Sequence, residues 1–150
     1  KVGGIGNMFA TERESDATLG GRALRFHSIA RLKLAFVRKL TTGEQGQTKP
    51  FGFQLVAKCV KNKLSGATDA SAVLVFRTRG TPGFDNALST LRTLQAWGAV
   101  DKQQADGAVM LHGKKYTVQK FCALHGADVH FTDDVTALLE RTYESRFILL

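Results

Sequence analysis

The sequence predicts an α/β arrangement over residues 1–78, followed by a small α+β unit over residues 79–150. Three observations predict it. Two runs of alternating polar and apolar residues, 31–40 and 52–63, flank a turn-rich stretch, and a short apolar run follows at Ser71–Phe76. Past the breaker cluster Arg79-Gly80-Thr81-Pro82-Gly83 the apolar period switches from that of a strand to that of a helix. At 150 residues the chain suffices for one domain, or one domain with a small appendage.

The first run, RLKLAFVRKL, sets Arg31 and Lys33 on one side and Leu32 and Leu34 on the other. The second places Phe53, Leu55, Ala57 and Cys59 on one face. Two such runs joined across the Gly-containing stretch 41–50 predict an antiparallel pair. The run SAVLVF predicts a strand covered on both faces, so the three together form the edge of a sheet. Beyond the breakers, Phe84, Leu88, Leu91 and Leu94 predict a helix ending near Trp97-Gly98. Residues 108–118 read as a hairpin around Gly113, and 119–125 as a short helix closed by Gly126. Thr132 is placed to cap a last helix, with Asp133 and Asp134 complementing its dipole and Val135, Leu138, Leu139 and Tyr143 on one face.

The net charge of +8 is local. Residues 1–63 hold twelve Lys and Arg against four Asp and Glu, whereas residues 64–150 hold nine against nine. The basic part contains a Gly-flanked polar segment, GGIGNMFATERESDATLGG at 3–21, which has no apolar period and reads as a long loop. Inside it Met8-Phe9 is an apolar pair, either presented to a ligand or tucked into the core as an anchor. Gly20-Gly21 opens a short helical pattern in which Arg22 and Arg25 interleave with Ala23, Leu24, His27 and Ile29. Free N–H groups at such a start suit phosphate oxygens. A cationic patch beside a long loop makes nucleic acid the first partner to consider.

Other classes find little support. The two cysteines, Cys59 and Cys122, stand apart in apolar contexts, which fits buried thiols in a reducing cytoplasm and no disulfide frame. The four histidines show no metal spacing, so no metal is expected. No run approaches the roughly 18 apolar residues of a membrane span. Neither a G-x-x-x-x-G-K-[ST] phosphate loop nor a G-x-S-x-G elbow occurs, and no catalysis is expected of this chain alone. A chain opening on Lys1 reads as a piece of something longer.

One resemblance is specific. Met8-Phe9, then Thr18-Leu19-Gly20-Gly21-Arg22-Ala23-Leu24-Arg25-Phe26, then Arg31-Leu32, and later Val60-Lys61-Asn62-Lys63, resemble in order and spacing the RecA family of DNA recombinases. The tail resembles that family's C-terminal domain more loosely, through Phe84 to Leu94, Gly98-Ala99-Val100 and the hairpin region 107–120. The match covers the second half of such a protein; in the family both Walker motifs precede it. It implies a RecA-like core fragment over 1–78, with a DNA-binding loop, a helix and sheet-edge strands, and a C-terminal domain over 79–150.

The resemblance also implies roles. Met8 and Phe9 are the apolar wedge that enters base steps, with Thr18, Gly20, Gly21, Arg22 and Arg25 on the DNA backbone. Phe26 belongs to the subunit interface of a homo-oligomeric filament. Lys61 and Lys63 are the catalytic cations that reach the neighbouring subunit's γ-phosphate, with ATP and Mg2+ held by the preceding half. Lys58 matches the basic cluster of the family's secondary DNA site, and Lys120 resembles a basic position of its C-terminal domain that captures duplex DNA. This sequence also departs from the pattern. Arg22 stands where Asn is usual, and the loop is longer, with Glu12, Glu14 and Asp16 inside it. Ala35, Phe36 and Val56 stand where Arg is expected, with Lys33, Arg38 and Lys39 available nearby; the sequence closes on Phe147-Ile148-Leu149-Leu150 where the family has an acidic tail. Two other readings stay open: a free-standing, non-catalytic DNA-binding or filament-interacting module, and a structural protein in which these residues only pack.

Overall fold

The computed structural model describes residues 26–42, 49–64, 69–100, 108–111 and 113–148. Their architecture is mixed α and β. Four antiparallel strands stand in sequence order: β1 (Ala30–Thr42), β2 (Lys49–Asn62), β3 (Ser71–Arg77) and the two-residue β4 (Gly83–Phe84). Helix α1 (Asn86–Trp97) follows. The hairpin β5 (Ala108–Leu111) and β6 (Lys114–Thr117) leads into α2 (Val118–Leu124) and α3 (Val129–Phe147). Both alternating runs are therefore strands, and they pair antiparallel as their pattern requires.

The pairing sorts side chains onto two faces. Leu32, Leu34 and Phe36 of β1 stand opposite Cys59, Ala57 and Leu55, and β2 passes the same face to Ala72, Leu74 and Phe76 of β3. The other face carries Val73 and Val75, which are buried and belong with α1. The SAVLVF run is thus buried on one face and half-covered on the other, and not covered on both as its composition suggests. Three register shifts interrupt β1 against β2, between Arg31 and Leu32, between Phe36 and Arg38 and between Leu40 and Thr41. Gly52 faces β3 at close range, where a Cβ would run into the carbonyl oxygen of Phe76.

Helix α1 closes the outer edge of β3 with side chains. Val75 N–H donates to Ser89 Oγ at 2.9 Å, Val73 N–H to Thr93 Oγ1 at 2.9 Å, and Trp97 Nε1–H to Ser71 O at 2.7 Å. Four helix residues rise about 6 Å and two strand residues about 6.7 Å, so positions 89, 93 and 97 fall in step with 75, 73 and 71. Backbone groups that a fifth strand would otherwise satisfy are satisfied here, which also removes a sticky edge.

Caps fix the helix limits. Phe84 does not open α1: it pairs with Phe76 in β4, and Asp85 caps the helix through its carboxylate, which accepts from Leu88 N–H at 3.0 Å. Gly98 closes α1 in the left-handed region at φ 76°, as helix ends commonly require. The last helix starts earlier than Thr132. Asp128 is its cap, accepting from Phe131 N–H at 3.1 Å. Thr132 lies one turn in, and its hydroxyl donates to Asp128 O at 2.8 Å. The core gathers Val75, Leu88, Leu91, Leu94, Val100, Val109, Leu111, Phe121 and Val135, with Leu40 and Phe131 packed against it.

Candidate nucleic-acid interface

Two of the cations named by the sequence, Lys61 and Lys63, meet at one end of the sheet. Phe26 and His27 are helical, and the chain then enters β1 at Ala30, which pairs with Asn62, while Arg31 pairs with Lys61. Lys63 N–H donates to Ile29 O at 3.0 Å and ties the end of β2 to the start of β1. Lys61 and Lys63 are two residues apart, a spacing that puts both side chains on one side of an extended chain. Both ammonium groups donate to one oxygen: Lys61 Nζ reaches Phe26 O at 3.2 Å and Lys63 Nζ reaches it at 3.1 Å. The Phe26 ring itself is 72% exposed.

Three positive charges are crowded there. Lys61 is pushed below its ordinary value of 10.5, first by burial among its neighbours, then by Lys63 and Arg31. A site that holds cations against their own repulsion gains most from an incoming anion. Arg31 is the member that the sequence left as an outward strand residue without a role. Its membership follows from register, which sets it opposite Lys61, and the shift beside it cannot be read from alternation.

The other named residues stand apart from this cluster. Lys58 is exposed on β2 and pairs with Asp69 at 2.8 Å. Lys120 is exposed on α2, with its ammonium 6.0 Å from the centre of the Tyr116 ring. Met8, Phe9, Thr18, Gly20, Gly21, Arg22 and Arg25 lie outside the described residues. Both cysteines are half-buried thiols, and Cys59 Sγ donates to Lys61 O at 3.4 Å. Among the described residues no group of three His, Cys, Asp or Glu could hold a metal ion, and no helix is long and apolar enough to cross a membrane. No protein-family model matches the chain, and no curated protein matches it.

Proposed function

We propose that this chain is the DNA-contacting and nucleotide-sensing part of an ATP-dependent homologous-recombination protein, one that forms a filament on single-stranded DNA and exchanges strands with a duplex. What supports the reading is the convergence of Lys61 and Lys63 on the carbonyl of Phe26. In sequence, Phe26 directly follows the Gly-flanked segment and its basic continuation at Arg22 and Arg25. The cation pair is thereby joined to the end of the segment that would hold DNA. A γ-phosphate presented by a neighbouring subunit competes for the same ammonium groups, and its charge outbids a neutral carbonyl. Drawing the lysines away releases Phe26, so nucleotide state and DNA grip are linked through one hydrogen-bonded joint. ATP and Mg2+ belong to the preceding half in this reading; Lys61 and Lys63 supply positive charge to the transferring phosphoryl group.

The test is made in the complete ATPase that carries this sequence. Lys61→Ala and Lys63→Ala, singly, are expected to abolish DNA-stimulated ATP hydrolysis and to leave ATP-independent DNA contact in place. Hydrolysis that survives both changes removes the lysines from the reaction. If no complete ATPase exists and the chain still binds single-stranded DNA, the free-standing module is the correct reading.

A further inference from the structure

A second basic site lies at the opposite end of β1. Arg31 pairs with Lys61, and Arg38 stands seven residues further along the strand, about 23 Å away at the usual strand rise. There a cavity of about 350 Å3 opens between β1, β2 and α1. Arg38, Lys39 and Arg92 line it, Gln54 and Thr41 add polar groups, and Val75 with Leu88 form part of its apolar wall. Among the described residues no Asp or Glu lines it.

The hydrogen bonds show how its cations are held. Arg38 Nε donates to Gln54 Oε1 at 3.1 Å, and Arg92 Nη1 donates to Gln95 Oε1 at 3.0 Å. Both acceptors are neutral amides. By contrast, Arg77 is neutralised by Asp85, its Nε donating to Oδ2 at 2.6 Å. Gln95 is 8% exposed, and turning its oxygen to Arg92 leaves its own Nε2 buried without a partner among the described residues. A buried donor is costly to leave unmet, so the fixing of Arg92 beside the cavity is maintained against a local penalty. Arg92 is half-buried and held below its ordinary value by burial first and by Arg38 second.

We propose that this cleft is a phosphate site, in which Arg38, Lys39 and Arg92 receive one tetrahedral phosphate group. Guanidinium forks match phosphate oxygens in geometry and charge, and a lysine on the rim adds a mobile point charge. The group is either free inorganic phosphate or a phosphodiester of a nucleic-acid strand; the chemistry is shared. The site does not depend on the reading given to Lys61 and Lys63.

The experiment follows the arginine Nε–Hε signals of the full chain by NMR at pH 6. Sodium phosphate, sodium chloride at matched ionic strength, and a short oligothymidylate are titrated in separate arms. The Arg38 and Arg92 signals should shift saturably with phosphate or with the oligonucleotide, while exposed Arg79 follows ionic strength alone. Saturation by inorganic phosphate identifies a free-phosphate site, and saturation by the oligonucleotide only identifies a strand phosphate. Arg38→Gln and Lys39→Gln, both at exposed positions, should each raise the half-saturation concentration read at Arg92 at least fivefold, whereas Lys114→Gln, exposed on β6, should leave it unchanged. Shifts that are the same in chloride as in both other arms, or that ignore Arg38→Gln and Lys39→Gln, overturn the proposal.

Discussion

Two ammonium groups on one carbonyl oxygen are a poor resting arrangement for charge and a good receptor for an anion. Lys61 lies below 10.5 because burial and two neighbouring cations disfavour its proton. Removing one neighbour should therefore reverse part of the shift: with Lys63→Gln, the Lys61 titration followed through its Cε protons moves upward. A bound polyphosphate should move it upward too. By linkage, anion affinity then weakens as pH rises through the Lys61 value, since the free site gives up its proton first. A Lys61 titration indifferent to Lys63→Gln would mean that the charges do not sense each other. Gly52 makes a different residue-scale point. Gly52→Ala places a methyl against Phe76 O in a paired strand, so unfolding by urea should show a loss of about 1–3 kcal/mol, the usual cost of overpacking.

At the scale of elements, the strands were legible because alternation reports a half-covered sheet directly. Their register was not, because the shifts beside Arg31 and after Phe36 leave no mark on the polar/apolar pattern. Helix starts were misread for a related reason. Phe84 falls at helical spacing before Leu88, yet Asp85 caps more strongly and sends Phe84 back to β4. Thr132 followed by two aspartates resembles a start, but Asp128 stands four residues earlier with an open path to Phe131 N–H. Least legible was the ladder of Ser89, Thr93 and Trp97, since the leucines dominate the apolar period of that helix. Thr93→Val leaves Val73 N–H without its acceptor and should cost about 1–3 kcal/mol in denaturant unfolding. A loss no larger than that of an exposed Thr→Val change would show that the strand edge does not depend on the helix.

The same packing sets a pH response. Cys122 is raised above 9.0, foremost by burial and then by Asp85, against the opposing pull of Arg77 and Arg92. An acid group raised in the folded state stabilises below the unfolded value and loses that contribution as pH rises past it. Above about pH 9 the unfolded chain releases this proton before the folded one does, so stability falls with pH. Cys122→Ala should flatten that fall relative to the unaltered chain, measured as the urea midpoint between pH 8 and pH 10. An identical slope in both proteins would contradict the assignment.

For the whole molecule, one feature dominates: among the described residues, only one face of the sheet is covered. Leu32, Leu34, Phe36 and Phe84 stand 58–69% exposed on the other, beside half-buried Leu55 and Leu74. Contiguous apolar surface of this kind associates. Leu34→Lys with Phe36→Lys should lower the apparent mass seen in light scattering at high concentration and leave the unfolding midpoint nearly unchanged. The core was largely legible, since the leucines at helical spacing and Val75 of β3 are its members. The cation cluster was legible only in part: Lys61 and Lys63 stand out in the sequence, while Arg31 and the shared Phe26 oxygen need the folded chain.

The proposed function requires that the basic part of this chain grip single-stranded DNA through its Gly-flanked segment. The most direct measurement is the anisotropy of a labelled oligothymidylate titrated with the full chain at several salt concentrations, with Met8→Ala and Phe9→Ala in parallel. A logarithmic salt slope of about −1.4 to −2.8 is expected, as two to four phosphate contacts give for single strands. Met8→Ala combined with Phe9→Ala should lose at least tenfold in affinity with unchanged thermal unfolding, as expected when a base-stacking wedge is removed. Binding that ignores salt, or a Met8-Phe9 change that lowers the unfolding temperature and leaves DNA affinity intact, would contradict it.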